Sequence, residues 1–302
     1  MLNKLTRSQQ QVVLYSVWLS RGKKAVFLRH LKVHSHLAAV ANYGSVQMQF
    51  AADDLRVPRE KLHVVLQPVD DRFWTPQGVP PEDLICAVGW EARDYRTFLA
   101  AIRGISSQVH IALGIAGLMS TAGVAEAKPG SKEGSAGTSR FDILRGTYSY
   151  DLHQDWVRSL RNAPQPNVEV SEQLGPVALR NLYDRARFVV VPLHDVDADC
   201  GVTTITEAMA MSKAVIVSRT RGQVDLIEDG EQGIYVPPGD PTALRSAVEY
   251  LLRNPNEAER MGTAGRALAE ERHSMDDHVH RLATLFAEAV GREEPRLYGE
   301  PR

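Results

Sequence analysis

The sequence predicts an α/β fold: a parallel sheet flanked by helices, joined to a smaller, partial N-terminal α/β domain. Three observations carry this. From Asp83 onward, short apolar runs such as LICAVG, FVVVPL and AVIVS alternate with helical-period segments. Strands that are apolar throughout belong to parallel sheets covered on both faces. Ahead of them, QPVDDRFWTPQGVPPED holds four prolines and no helical period, as an interdomain linker does. The expected organisation is therefore an N-terminal part over 1–67, a linker over 68–82, a main domain over 83–290 and a tail over 291–302.

The elements follow in order. Arg7–Leu19 reads as a helix, Lys24–His34 as another, and His36–Ala41 as a strand. NYGSVQMQFAADDLRVP reads as turn, helix and loop, and KLHVVLQPV as a β-branched strand. In the main domain LICAVG is a strand ending in glycine, Tyr95–Arg103 a helix and VHIALG a strand. Residues 115–147 are rich in Gly, Ala, Ser and Lys, the composition of a flexible surface insertion. A helix near Asp151–Asn162, the strand NVEVS, the helix VALRNLYDRA and the strand FVVVPL come next. Then come a helix over Thr203–Met211 and the strand AVIVS. Asp240 and Pro241 are N-cap and first helical residue of a helix whose Leu244, Ala247, Val248, Leu251 and Leu252 share one face. Helices over Glu257–Arg272 and Met275–Val290 complete the series.

Composition narrows the classes. The 302 residues are 43% apolar, enough for a sizeable core, and the net charge of −2 does not suggest a nucleic-acid partner. Cys86 and Cys200 are the only cysteines, too few for a disulfide framework, so a reducing, cytoplasmic setting is expected. The run VVLYSVWL falls far short of the ~20 residues of a membrane span. Charge is uneven: no Asp or Glu precedes Asp53, while Lys4, Arg7, Arg21, Lys23, Lys24, Arg29 and Lys32 do. Such a segment is either a solvated face or an attraction for a phosphorylated acceptor or for anionic lipid, the last of which would place the protein peripherally at the inner membrane surface.

The segment DADCGVTTITEAMAM begins just after FVVVPL, where parallel sheets bind ligands. Gly201 allows close backbone approach. The helix starting near Thr203 presents N–H groups and a positive dipole end, suited to phosphate. Glu207 lies one turn inside that helix and Asp199 on the loop before it. Capping would explain either carboxylate alone; together with helix N–H groups they suit a ligand carrying both a diphosphate and polyols.

Several blocks in order resemble one family. EAMAMSKAVIVS, TRGQVDLIEDGEQGIYVPPGDP and ALRSAVEYLL, with Asp199 and Glu207 separated by seven residues, resemble the C-terminal, Rossmann-like domain of the retaining family-4 glycosyltransferases of GT-B fold. The resemblance is sharpest over 168–272 and extends in outline to His36. It implies a nucleotide-sugar donor, no tightly bound cofactor and no metal. The acceptor is left open as a sugar, a lipid-linked or a small molecule. It implies that Glu207 contacts the ribose, that Asp199 holds donor-sugar hydroxyls, and that Gly201, Val202 and Thr203 give backbone contacts. Gly175 and Val177 fall where the base pocket forms. The family's arginine directly after the first strand's glycine is absent, since Trp90 follows Gly89; Arg93 is the substitute, with Arg96 second. Asp199 stands for the usual Glu, and Ser212 and Gln223 for usual glycines. Only about 67 residues precede the linker, resembling the last part of the family's N-terminal domain, as in a truncated or shortened relative.

Other signals are weaker. HSMDDHVH fits no zinc spacing and reads as a helix start. Cys200 reads as buried filler, Trp74 as a residue docking the linker. Beside glycosyl transfer, two alternatives stand: a nucleotide-sugar binding protein or inactive relative without transfer, and a nucleotide-sugar epimerase.

Overall fold

The structure, a computed structural model, describes residues 11–20, 22–113, 165–172 and 174–291. The insertion expected over 115–147, the helix expected near Asp151–Asn162, residues 7–10 and the tail beyond Gly291 lie outside the described residues.

The N-terminal part comprises β1 (Val13–Tyr15), α1 (Gly22–His30), β2 (Ala39–Asn42), α2 (Ser45–Asp53) and β3 (Leu62–Val64). Its strands are parallel in the order β1-β2-β3, with Val13 opposite Ala39 and Val40 opposite Leu62. One face packs Leu19, Leu28, Val40, Met48 and Leu55. The helix expected over Arg7–Leu19 is corrected: residues 13–15 are a strand. The Ala38 and Ser16 N–H groups donate to Val12 and Ala41 carbonyls at 2.8 and 2.9 Å. Pairing with β2 thus satisfies the backbone of a Val-rich stretch with little helical preference.

The main domain comprises β4 (Leu84–Val88), α3 (Tyr95–Ala101), β5 (Gln108–Leu113), β6 (Val168–Glu172), α4 (Pro176–Arg185), β7 (Phe188–Val191), α5 (Val202–Ala210), β8 (Ala214–Ser218), β9 (Gly233–Val236), α6 (Pro241–Arg253), α7 (Pro255–Arg272) and α8 (Met275–Val290). The sheet is parallel throughout, in the order β6-β5-β4-β7-β8-β9. Alternate strand residues serve two cores, as the period of two requires. Cys86, Val88, Val189, Val191, Val215 and Val217 face α5. Ile85, Ala87, Phe188, Val190 and Ile216 face α3 and α6. This double burial explains why β4, β7 and β8 are apolar at nearly every position. Asp240 caps α6, accepting from Thr242 and Ala243 N–H at 2.9 and 3.0 Å.

The linker docks onto the main domain. The Trp74 ring meets Tyr183 edge-on at 5.7 Å. Arg266 Nη1 donates to the carbonyls of Asp71, Trp74 and Ala210. Helix α8 returns to the other sheet, where Leu285 packs with Ala39, Ala41 and Val65.

The strand order matters for function. Chain order runs outward from β4 in one direction through β5 and β6, then in the other through β7, β8 and β9. Loops after β4 and β7 therefore leave in opposite directions and open a crevice between them.

Candidate functional site

Both loops at this crevice are built around Arg93. After β4 the chain turns at Gly89, whose φ is +110°. Ala92 also lies in the left-handed region, at φ +56°. The turn presses Arg93 antiparallel against Leu193. His194 N–H donates to Ala92 O and Asp94 N–H to Pro192 O, each at 2.9 Å. These bonds hold the strained Ala92, an arrangement that costs on the order of 1 kcal/mol by itself.

The Arg93 side chain is 9% exposed. Its Nε donates to Val88 O at 2.8 Å, Nη1 to Glu91 O at 2.9 Å and Nη2 to Thr204 Oγ1 at 2.9 Å. Two glycines make room for it. A Cβ on Gly89 would sit 2.3 Å from Arg93 Nη2. A Cβ on Gly201 would sit 3.6 Å from Nη1 and 2.9 Å from Val191 Cγ1, at a φ of +84°. Gly201 is the N-cap of α5 and contributes no side-chain cap. The guanidinium, the α5 N-terminus and two bare stretches of backbone thus converge.

Two carboxylates flank this centre. Glu207, on α5, accepts from the Tyr183 hydroxyl at 3.0 Å. Burial pushes its carboxyl up to about 7, although the Tyr183 hydroxyl and the Arg93 charge pull the other way. Asp199 is 6% exposed, and among the described residues neither of its carboxylate oxygens has a hydrogen-bond partner. Burial chiefly, and the Asp225 carboxylate in addition, raise it to about 6; its own backbone amide offsets part of this. Asp199 faces the N-terminal part: a Cβ on Gly44 would lie 2.8 Å from its Oδ2. Burial and the Asp199 charge both raise the Tyr15 and Tyr43 phenols.

The two domains are tied at this point. Asp225 caps the N-terminus of α2 from across the junction, accepting from Ser45 N–H at 2.7 Å and Ser45 Oγ at 2.8 Å. Buried Gln47 donates to Asp197 O at 2.7 Å. Gln223 Nε2 donates to Cys200 O at 2.8 Å and holds the Asp199 loop from the other side.

The remaining expected residues fall as follows. Val202 is buried in the first turn of α5, and Thr203 beside it is exposed. Gly175 is the N-cap of α4, with open space where a Cβ would stand, and Val177 is 56% exposed. Arg96 is exposed on the first turn of α3, and no described bond ties it to Arg93 or Glu207. Sequence reasoning passed over Thr204, Tyr183, Tyr43 and Gly44. For Gly44 the NYGS turn was a signal; for Tyr183 none existed, since its contact with Glu207 is tertiary. In HSMDDHVH, Ser274 accepts from Asp277 N–H as the α8 cap. His273 and His278 bind the carbonyls of Gln67 and Leu66, each at 2.9 Å.

The parallel sheets flanked by helices are the fold of solved GT-B glycosyltransferases. A glycosyltransferase from Rickettsia africae superposes with a TM-score of 0.70 at 13% identity, covering 96% of this chain and 73% of that one. Anabaena Alr3699/HepE, solved in complex with UDP and glucose, gives 0.68 at 13% identity over 94% and 73%. The model of the glycosyl transferases group 1 family matches residues 157–268. The alpha-D-kanosaminyltransferase of Streptomyces kanamyceticus is 34% identical over 84 residues, 28% of this chain and 22% of the relative. A GDP-mannose-dependent alpha-(1-6)-phosphatidylinositol monomannoside mannosyltransferase of Mycolicibacterium smegmatis is 36% identical over 90 residues, 30% and 23% of the two chains. The matched stretch thus spans under a quarter of either relative.

Proposed function

We propose that this chain binds a nucleotide sugar at the β4/β7 crevice and transfers the sugar, with retention at the anomeric carbon, to a sugar, lipid-linked or small-molecule acceptor. The observation that carries the reading is Arg93, buried between Gly89 and Gly201 and aimed at the start of α5. A guanidinium has five N–H donors, and the three bonds to Val88, Glu91 and Thr204 fix its plane while leaving donors for a ligand. A diphosphate would lie against Arg93 and the α5 amides, where negative charge is favoured. Glu207 would hold the ribose hydroxyls, and Gly175 with Val177 would border the base. Asp199, whose oxygens accept from no other described residue, would accept from hydroxyls of the transferred sugar. Gly201, Val202 and Thr203 would supply backbone contacts, and exposed Arg96 a peripheral charge.

Chemically, the bond from the anomeric carbon to the diphosphate breaks as the acceptor oxygen bonds to the same face of that carbon. Charge develops on the departing diphosphate, and a preorganised guanidinium and helix terminus stabilise it there. On a retained face the departing phosphate oxygen is the group placed to take the acceptor's proton. Positioning of the two substrates supplies the rest. The donor is a substrate, and the reading requires no resident cofactor or metal.

The test is thermal stability of the chain against UDP, GDP and ADP sugars, with Arg93→Ala in parallel. Ligand at a hundredfold over Kd adds about 2.7 kcal/mol to the native state, so one nucleotide is expected to raise the midpoint by several degrees, and the variant to lose that shift. No shift with any nucleotide refutes the reading. Conversion of the nucleotide sugar without acceptor would assign an isomerase instead.

A further inference from the structure

Three large apolar side chains stand in solvent within six residues. Val26 is 54%, Phe27 52% and Leu31 62% exposed. The cause lies in the geometry of α1. Leu28 points into the N-terminal core with Leu19, Leu37 and Val40, and Ala25 packs against the same cluster. At 100° per residue, Val26 and Phe27 must then fall on the opposite side of the helix. Leu31 follows where the helix has ended, ahead of Lys32 in the left-handed region at φ 47°. Nothing in the core asks for these side chains, and solvation alone disfavours them.

Basic residues neighbour them in the chain. Arg29 and Lys32 are exposed, and Lys23 and Lys24 belong to the same segment of a stretch without acidic residues before Asp53. The nearest described compensation is Asp54, whose carboxylate lies 3.9 Å from Arg29 Nη2 with both side chains about half exposed. Such a pair contributes little in water. Among the described residues no helix is long and apolar enough to cross a membrane.

We propose that the outward side of α1, with Leu31 and the basic residues beside it, docks on an anionic lipid surface. Charge complementarity selects this occupant. A second copy would bring the same basic segment against itself. A nucleic acid or acidic peptide would use the charges but leave Phe27, Val26 and Leu31 wet. An anionic bilayer takes both, the apolar side chains entering the headgroup boundary while Arg29 and Lys32 meet lipid phosphates. The proposal does not depend on the donor site.

Flotation of the full chain with vesicles of phosphatidylcholine, alone or mixed with phosphatidylglycerol, tests it. The chain is expected to float with the mixed vesicles and not with phosphatidylcholine alone. Replacing Val26, Phe27 and Leu31 together by Ser is expected to weaken partitioning at least about tenfold, from the apolar burial lost. Lys32→Glu is expected to weaken it several-fold at low salt. All four positions are exposed, so the variants should keep the thermal midpoint of the parent, which is checked in the same preparations. The proposal is overturned if the chain fails to float with anionic vesicles. It is equally overturned if the triple variant floats as the parent does, which would describe a polyanion site, or if phosphatidylcholine alone binds as well.

Discussion

Replacing Glu207 by Gln should make the protein more stable and a poorer binder of the proposed nucleotide-sugar donor. The carboxyl rises from 4.5 to about 7 because burial penalises the charged form more than Tyr183 and Arg93 compensate. A folded value above the unfolded one means that the folded state holds the proton longer. The associated stability is fully present below about pH 4.5 and is lost as pH rises through about 7. At about 1.4 kcal/mol per pH unit, the charged Glu207 costs the fold roughly 3 kcal/mol at pH 8 and under about 1 kcal/mol at pH 5. Gln keeps an oxygen for the Tyr183 hydroxyl but never carries that charge. Urea unfolding of variant and parent at the two pH values measures the difference directly, since other titrating groups cancel. The variant should gain on the order of 2 kcal/mol more at pH 8 than at pH 5. In the same variant a charge-assisted bond to a donor hydroxyl becomes a neutral one, so affinity for the nucleotide sugar should fall about tenfold or more. A variant no more stable at pH 8 than at pH 5 would refute the buried-charge argument. A more stable variant with unchanged donor affinity would refute the site assignment alone.

Two other perturbations probe the frame of the site. Gly89→Ala places a Cβ 2.3 Å from Arg93 Nη2 at a backbone φ of +110°. It should cost about 2 kcal/mol or more and abolish the nucleotide-induced thermal shift; a variant as stable as the parent would contradict the packing described. Asp225→Ala removes the cap of α2 from across the domain junction. A loss of about 1 kcal/mol is expected, with faster amide exchange at Ser45 and the α2 residues after it; unchanged exchange there would mean that the cap is dispensable.

Much of the main domain was legible because its signals are local. Double burial makes β4, β7 and β8 apolar throughout, and that pattern is visible in LICAVG, FVVVPL and AVIVS. Asp240 and Pro241 mark the start of α6, and Ser274 the start of α8, by chemistry confined to one turn. Position at the carboxyl end of β7 made Asp199, Gly201 and Glu207 candidates for the proposed donor site. The short edge strand β1 was not legible. Three residues carry no reliable period, and what makes them a strand is β2, which lies more than twenty residues away.

The sequence by itself determined most of the described strands and helices of the main domain and a candidate segment for a ligand site, because hydrophobic period, capping and turn chemistry act between near neighbours. Tertiary structure decided the rest. It set the strand order that opens the β4/β7 crevice, and it placed the Arg93 guanidinium between two glycines more than a hundred residues apart. It brought Tyr183 to Glu207, and it left Asp199 buried against Gly44 with no other described residue donating to its carboxylate. The physical reason is that burial raises a carboxyl's pKa and close approach demands a glycine, and both depend on which distant segments fold against each other.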